Sequence, residues 1–309
     1  MRWIDAVAPK DAERNDRWRR GVGPPLVCDY TRGRLAPIDR LPIVTWNIHV
    51  GSADIFAFIA DLRAGQFTDG ERITDFVLLV QETFRSGHGV PAPMPADAIS
   101  PQSLHHADSR GARFDVEEIA ERSQFFAAYV PSMRNGSGAN ARTGECEDRG
   151  NAIFSTVPIH DITAIELPLQ HQRRVAVFGT LRCETSDGGE VGLELGSVHL
   201  DLRTHPGGRA AQARAIIDAC TAPACVIGGD LNVFPWIERT HELLSRAFPH
   251  ARAHDQLPTH VSPLIRRRID HLFCRVHDHW HTLPYRRIHD RYGSDHYPLI
   301  GGVNFYKAQ

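Results

Sequence analysis

The chain has almost no lysine: Lys10 and Lys307 are the only two among 35 basic residues, and the rest are arginine. A GC-rich coding sequence explains that bias as well as phosphate recognition does, so it points to no ligand by itself. A strong net charge is also missing. The formal charge is −2 and the sequence pI about 6.8, which excludes broad, charge-driven adhesion to nucleic acid or anionic membrane but leaves room for a local basic cleft. No run approaches the ~18 apolar residues of a membrane span. At the N-terminus Asp5 and Lys10 interrupt the chain before a signal-peptide core appears. The expectation is a monomeric cytoplasmic protein. The 6 cysteines never form Cys-x-x-Cys, which excludes a zinc ribbon or dithiol redox pair. Cys220 and Cys225 flank a helix-to-strand turn; a disulfide would fit there, but buried thiols in a reducing compartment are the preferred reading. There is no internal repeat and no low-complexity tract.

What is present is a globular composition, 42% hydrophobic and 23% charged. At 309 residues two domains of ~150 residues would fit, but layered sandwiches of this size are often single. Residues 1–40 are charged and broken by Gly21-Val22-Gly23-Pro24-Pro25, so an irregular N-terminal extension is expected, followed by one catalytic domain over 41–309. Ile43–His49 and Phe76–Val80 read as buried strands, with a helix between them over 53–64. Gln81-Glu82 is expected to end the second strand. A further helix is expected over 115–126, then a strand from Phe126 to Pro131. Successive β segments follow at 159–167, 173–183 and 191–199, with a hairpin signal at Asp187-Gly188-Gly189. An Arg/Ala-rich helix spans 207–220. The loops 86–113 and 132–148 are long enough to border a cleft and select a substrate; His105 and His106, in the first, are read as solvated rather than as metal ligands.

Polar residues recur where these strands end. Ala224–Asn232 is the plainest case: an apolar strand, then Gly228-Gly229, then Asp230 and Asn232. Continued strand geometry would point both side chains the same way. The glycines would let the backbone bend or a ligand approach. An Asx turn closing a core strand is the plainer alternative. Asn47, Glu82, His199, Asp270, Asp295 and His296 occupy comparable positions, which suggests that the fold gathers them at one rim. Asn, Glu and Asp oxygens suit Mg²⁺ or Mn²⁺, and without a thiolate cluster or His-Glu-x-x-His a zinc hydrolase is a poor alternative.

The pieces Thr45-Trp46-Asn47-Ile48, Val80-Gln81-Glu82, Gly150–Ser155, Val198-His199-Leu200-Asp201, Gly229–Asn232, Ile269–Phe273 and Ser294–Pro298 follow one another in an order that resembles the endonuclease/exonuclease/phosphatase superfamily of metal-dependent phosphoesterases. The resemblance implies an α/β fold, a four-layer α/β/β/α sandwich of two mixed, mainly antiparallel sheets of the DNase I-like kind, with the site where the sheet rims converge. It implies Glu82 as main metal ligand, with Asn47 close by and Asp295 contributing. Asp230 would activate a water positioned by Asn232. Asp270 would hold His296, and His296 and His199 would bind phosphate oxygens. Arg149, more weakly Arg203, and Asn151 are added as substrate contacts. The expected reaction is Mg²⁺-dependent hydrolysis of a phosphoester in nucleic acid, a phospholipid head group or a small molecule. A sphingomyelinase-like enzyme and an inactive binding module on the same fold are the alternatives. Thr83-Phe84 after the Gln-Glu pair departs from the Thr-Lys of repair nucleases, and Arg-Ile-Asp-His departs from the Trp-Thr-Asp-Arg of inositol-phosphate phosphatases, so neither subfamily is matched.

Overall fold

The computed structural model describes residues 1–33, 37–87, 89–101, 113–140, 143–233, 239–262 and 265–305. His105, His106 and Arg142 lie outside the described residues. The strands are, in chain order, β1 (Arg2–Asp5), β2 (Leu26–Asp29), β3 (Arg40–Asn47), β4 (Val77–Ser86), β5 (Phe126–Arg134), β6 (Glu147–Ser155), β7 (Ile159–Glu166), β8 (Val175–Glu184), β9 (Glu190–His199), β10 (Cys225–Asp230), β11 (His260–Val261), β12 (Arg266–Arg267), β13 (Asp270–Arg275), β14 (His281–Arg287) and β15 (Leu299–Asn304). The helices are α1 (Ala12–Arg19), α2 (Ile55–Arg63), α3 (Val116–Ser123), α4 (Pro206–Ala219) and α5 (Arg239–Ala247).

Two large sheets result. One runs β14-β15-β3-β4-β6-β5-β2 and the other β1-β7-β8-β9-β10-β13. Within them β3–β4, β9–β10 and β1–β7 are parallel and the remaining pairs antiparallel. Alternate residues of each strand face opposite ways, so Ile43, Val77, Leu79, Ile153, Val177 and Val226 meet between the sheets. Val44, Trp46, Leu78 and Phe154 face outward onto Phe58, Leu62 and Ile119 of α2 and α3. On the other side Val198, Ile227 and Phe273 meet Ala213, Ile216 and Leu244 of α4 and α5. The architecture is the expected α/β/β/α sandwich.

Among the described residues of 1–40, the N-terminal segment forms β1, α1 and β2 rather than irregular chain. β1 pairs with β7 and β2 with β5, so the segment adds an edge strand to each sheet. Trp18 of α1 packs with Met133 and Leu169. Of the charged side chains that suggested irregular chain, Glu13, Arg14, Asp16, Arg17 and Arg19 lie on the helix α1. β5 does not stop at Pro131: the register shifts between Pro131 and Met133, and the strand continues to Arg134. A bulge spares the proline a ladder hydrogen bond it cannot donate. Cys220 and Cys225 are free thiols.

Candidate active site

The parallel strands β3, β9 and β10 end at the same rim where the antiparallel β13 begins. In the ladder, Asp230 is opposite His199 on one side and Asp270 on the other. His296 enters from the turn before β15, which is antiparallel to β3. Ser294 fixes that turn: its hydroxyl donates to Asn47 O at 2.7 Å and accepts from His296 N at 3.0 Å. The Trp46 indole donates to His296 O at 3.0 Å. Side chains more than 180 residues apart therefore converge. Asn47 Nδ2 donates to Asp230 Oδ2 at 3.2 Å, with His199 Nε2 at 3.5 Å and His296 Nε2 at 3.8 Å from the same oxygen. His296 Nδ1 lies 2.8 Å from Asp270 Oδ2.

The strand does not continue from Asp230 to Asn232. Asn232 has φ +50, and its N–H donates to Asp230 Oδ1 at 2.9 Å. The Asx turn and the functional arrangement are thus the same structure: the turn swings the Asn232 amide to 3.1 Å from His199 Nε2 and lets it donate to Leu200 O. The two glycines serve packing, not ligand access. A Cβ on Gly228 would stand 2.7 Å from Thr45 Cβ in the facing sheet, and one on Gly229 1.9 Å from Val198 O.

Glu82 is not at a strand end. The β4–β6 register jumps from Val80↔Ala152 to Thr83↔Gly150, one extra residue on β4. Glu82 lies in this bulge at φ +54, a conformation that a non-glycine residue adopts at some strain. Gln81 turns inward and spans the sheets, donating to Ser197 Oγ at 3.0 Å. Among the described residues no cationic side chain lies within ion-pairing distance of Glu82. Burial raises its pKa, but the charges of Arg149, His49 and Arg174 outweigh this and hold it below the ordinary value. Asp295 is held far below the usual carboxylate range: burial is overcome by His260, His49 and His296. His49 Nδ1 stands 3.1 Å from Asp295 Oδ1 and His260 Nε2 3.5 Å from Oδ2. An ionised, strained and unpaired Glu82 beside a second ionised carboxylate and the Asn47 carbonyl fits a hard divalent cation. Two overlapping groups also have ligand atoms mutually within 4.8 Å, Asp230–Asp270–His296 and His260–Asp295–His296. A third, Glu194–Cys220–Cys225, sits at the opposite end of β10.

The two histidines differ. Burial alone would lower His296, but Asp270, then Asp230 and Asp295, push it up to about 10. His199 goes the other way: burial first, then the fields of Arg174, His296 and Arg149, lower it well below its ordinary value. At neutral pH His296 is a cation and His199 is not. Asp230 is pushed up to about 7, by burial first and by Asp270 second.

Arg149 is buried near Glu82, whose charge reaches it. Arg203 is exposed on the loop after β9. Asn151 is buried and donates to Val175 O at 2.8 Å, tying β6 to β8. His49, His260 and Arg174 were missed. His49 and His260 stand outside any strand-end motif, and Arg174 is one arginine among many. The described parts of the two long loops meet where Arg113 pairs with Glu147 at 2.9 Å. Asn135, in the second loop, accepts from Arg149.

The sequence model described as Endonuclease/Exonuclease/phosphatase family matches residues 44–296. No curated protein matches. Similar solved structures include an endonuclease/exonuclease/phosphatase from Beutenbergia cavernae, 18% identical with TM-score 0.56, covering 88% of this chain and 72% of that one. A family protein from Leptotrichia buccalis is 14% identical with TM-score 0.55, covering 86% and 100%. A mannosyl-6-phosphatase from Bacteroides thetaiotaomicron is 15% identical with TM-score 0.50, covering 86% and 100%. At these identities the likeness is one of fold.

Proposed function

Since this chain belongs to the endonuclease/exonuclease/phosphatase family, whose members hydrolyse phosphoesters, we propose that it is a divalent-metal-dependent phosphoester hydrolase with Asp230 as general base. The observation that carries this reading is the convergence of Asn47, His199 and His296 on one oxygen of Asp230. Glu82, Asp295 and Asn47 would hold Mg²⁺ or Mn²⁺. The ion, when bound, neutralises charge on the phosphoryl oxygens.

Asp230 takes the proton of the attacking water. A carboxylate pushed up to about 7 suits that role, because it is half ionised near neutrality and basic enough to accept a proton. Asn47 and the Asn232 N–H hold its two oxygens. His199, uncharged, steadies the Asn232 amide. Asp270 fixes Nδ1 of His296 as the protonated nitrogen, which leaves Nε2–H pointing into the site, 3.8 Å from both Asp230 and Asp295. That separation is too long for a hydrogen bond, so Nε2–H remains for a phosphoryl or leaving-group oxygen.

The test is hydrolysis of bis-p-nitrophenyl phosphate and p-nitrophenyl phosphate by protein stripped with EDTA and resupplied with Mg²⁺, Mn²⁺ or Ca²⁺. Plasmid DNA, an abasic oligonucleotide, inositol phosphates and sphingomyelin complete the panel. Sphingomyelin belongs there because Leu202, next to Arg203 on the loop after β9, is an exposed large hydrophobic. Turnover restored by Mg²⁺ or Mn²⁺ is expected. Inertness toward every substrate with every cation would leave only the inactive binding module.

A further inference from the structure

The buried arginines of this chain fall into two groups. Most make an ion pair or strong hydrogen bonds to backbone carbonyls. Arg85 pairs with Asp148 at 2.6 Å and Arg173 with Glu166 at 2.7 Å. Arg134 donates to the carbonyls of Gly21 and Pro91, and Arg209 to those of Asp201, Leu202 and Thr204. Arg149 and Arg174 are different. They are 5% and 6% exposed, yet neither has a carboxylate within 4.0 Å among the described residues. Arg149 reaches only Asn135 Oδ1 and Met133 Sδ, both at 3.4 Å. Arg174 reaches Gln172 Oε1 at 3.1 Å, and its Nε, like those of Arg85 and Arg134, is buried with no partner.

Arg174 lies close enough to Arg149 to depress its pKa, after the larger effect of burial, and Arg203 acts in the same direction on both. Two uncompensated guanidinium groups in a buried position are unfavourable unless an anion joins them. Glu82 acts on both through its field, but as a metal ligand it has its own partner. Asp201, the strongest carboxylate influence on Arg174, spends its oxygens on the N–H groups of His171, Gln172 and Arg203.

We infer that Arg149 and Arg174 form a subsite for a phosphate dianion, so that the substrate carries a phosphomonoester group at, or directly beside, the bond that is cleaved. This rests on the hydrolase reading above and narrows it. A diester phosphate has one charge, which a bound cation already meets. Two further guanidinium forks match the extra charge and the additional terminal oxygens of a monoester.

Two measurements test this. Calorimetric titration of inorganic phosphate into the protein in EDTA is expected to show binding at pH 8. Arg149→Gln and Arg174→Gln should each weaken it about tenfold or more. No binding by the parent protein, or unchanged affinity in both variants with circular dichroism intact, overturns the subsite. The second measurement needs no variant. With Mg²⁺ or Mn²⁺, kcat/KM is compared for p-nitrophenyl phosphate against bis-p-nitrophenyl phosphate, and for thymidine 3′-phosphate 5′-(p-nitrophenyl phosphate) against the same diester lacking the 3′-phosphate. An advantage of about tenfold in the first pair places the dianion at the scissile bond; the same advantage in the second places it on the neighbouring position. Plain diesters cleaved as fast as both phosphorylated partners refute the inference. If nothing is hydrolysed the catalytic reading fails, and phosphate titration still decides the subsite.

Discussion

Replacing Asp270 by Asn removes a negative charge from a buried pair while nearly preserving its shape. Asp270 and His296 have side chains 1% and 6% exposed, and Nδ1 sits 2.8 and 3.1 Å from the two carboxylate oxygens. Breaking a buried pair from one side typically costs ~3–5 kcal/mol. The Asn oxygen can still accept from Nδ1–H, and Asp230 and Asp295 remain near the ring, so the lower figure of ~3 kcal/mol is expected. For 309 residues, at about 2.1 cal/mol/K each, that is a fall in Tm of roughly 4–5 °C. The pH dependence identifies the cause. His296 has a folded pKa of about 10, raised from 6.5. Its contribution to stability is complete below about 6.5 and is lost as pH rises through about 10. The gap between the parent protein and Asp270→Asn is therefore widest near pH 6.5 and closes toward pH 10. Urea denaturation followed by tryptophan fluorescence at pH 6.5, 8 and 9.5 measures it. A gap that keeps its size over that range, or stays under about 1 kcal/mol at pH 6.5, would refute the assignment of a charged pair.

Asp230→Asn should lower kcat about 10²–10⁴-fold with circular dichroism unchanged. The parent enzyme's kcat/KM should rise as pH passes up through about 7, where Asp230 ionises, and the variant should lack that limb; a variant of near-parental rate removes the general base. Glu82→Gln should weaken Mg²⁺ or Mn²⁺ binding in a calorimetric titration, because a neutral amide replaces a charged hard ligand, and equal affinities would take Glu82 out of the cation's coordination. Gly229→Ala should destabilise by ~1–3 kcal/mol or more through its clash with Val198 O. Gly192→Ala, where a Cβ meets nothing within 4 Å, is the control and should leave Tm almost unmoved.

The strands β3, β4 and β10 were legible because both their faces are covered, which makes them unbroken apolar runs. Polar residues at the ends of such runs stand out, and that exposed Asn47, His199, Asp230 and Asp270. The bulge at Glu82 was not legible, since it depends on which residue of β6 lies opposite. β1 and β2 were hidden by being 4 residues long and half-solvated. Glycines 228 and 229 were found but misread, because their need for space comes from Thr45 and Val198, far away in sequence. Arg174 escaped for a statistical reason: where arginine is nearly the only base, its presence at any position says little. What distinguishes it is burial with no carboxylate within 4.0 Å among the described residues and only Gln172 as a hydrogen-bond acceptor.

The N-terminal segment has a consequence for solubility. β1 occupies the β7 edge of one sheet and β2 the β5 edge of the other, with α1 between them packed on Met133 and Leu169. Removing residues 1–40 would leave the rim residues in place while uncovering two ladders of unsatisfied N–H and C=O groups on one molecule. Bare edges of that kind pair with whatever strand they meet, and a molecule with two of them can link to two neighbours at once. A chain trimmed at residue 41 should therefore associate more readily than the full chain, a difference that light scattering of the two would measure.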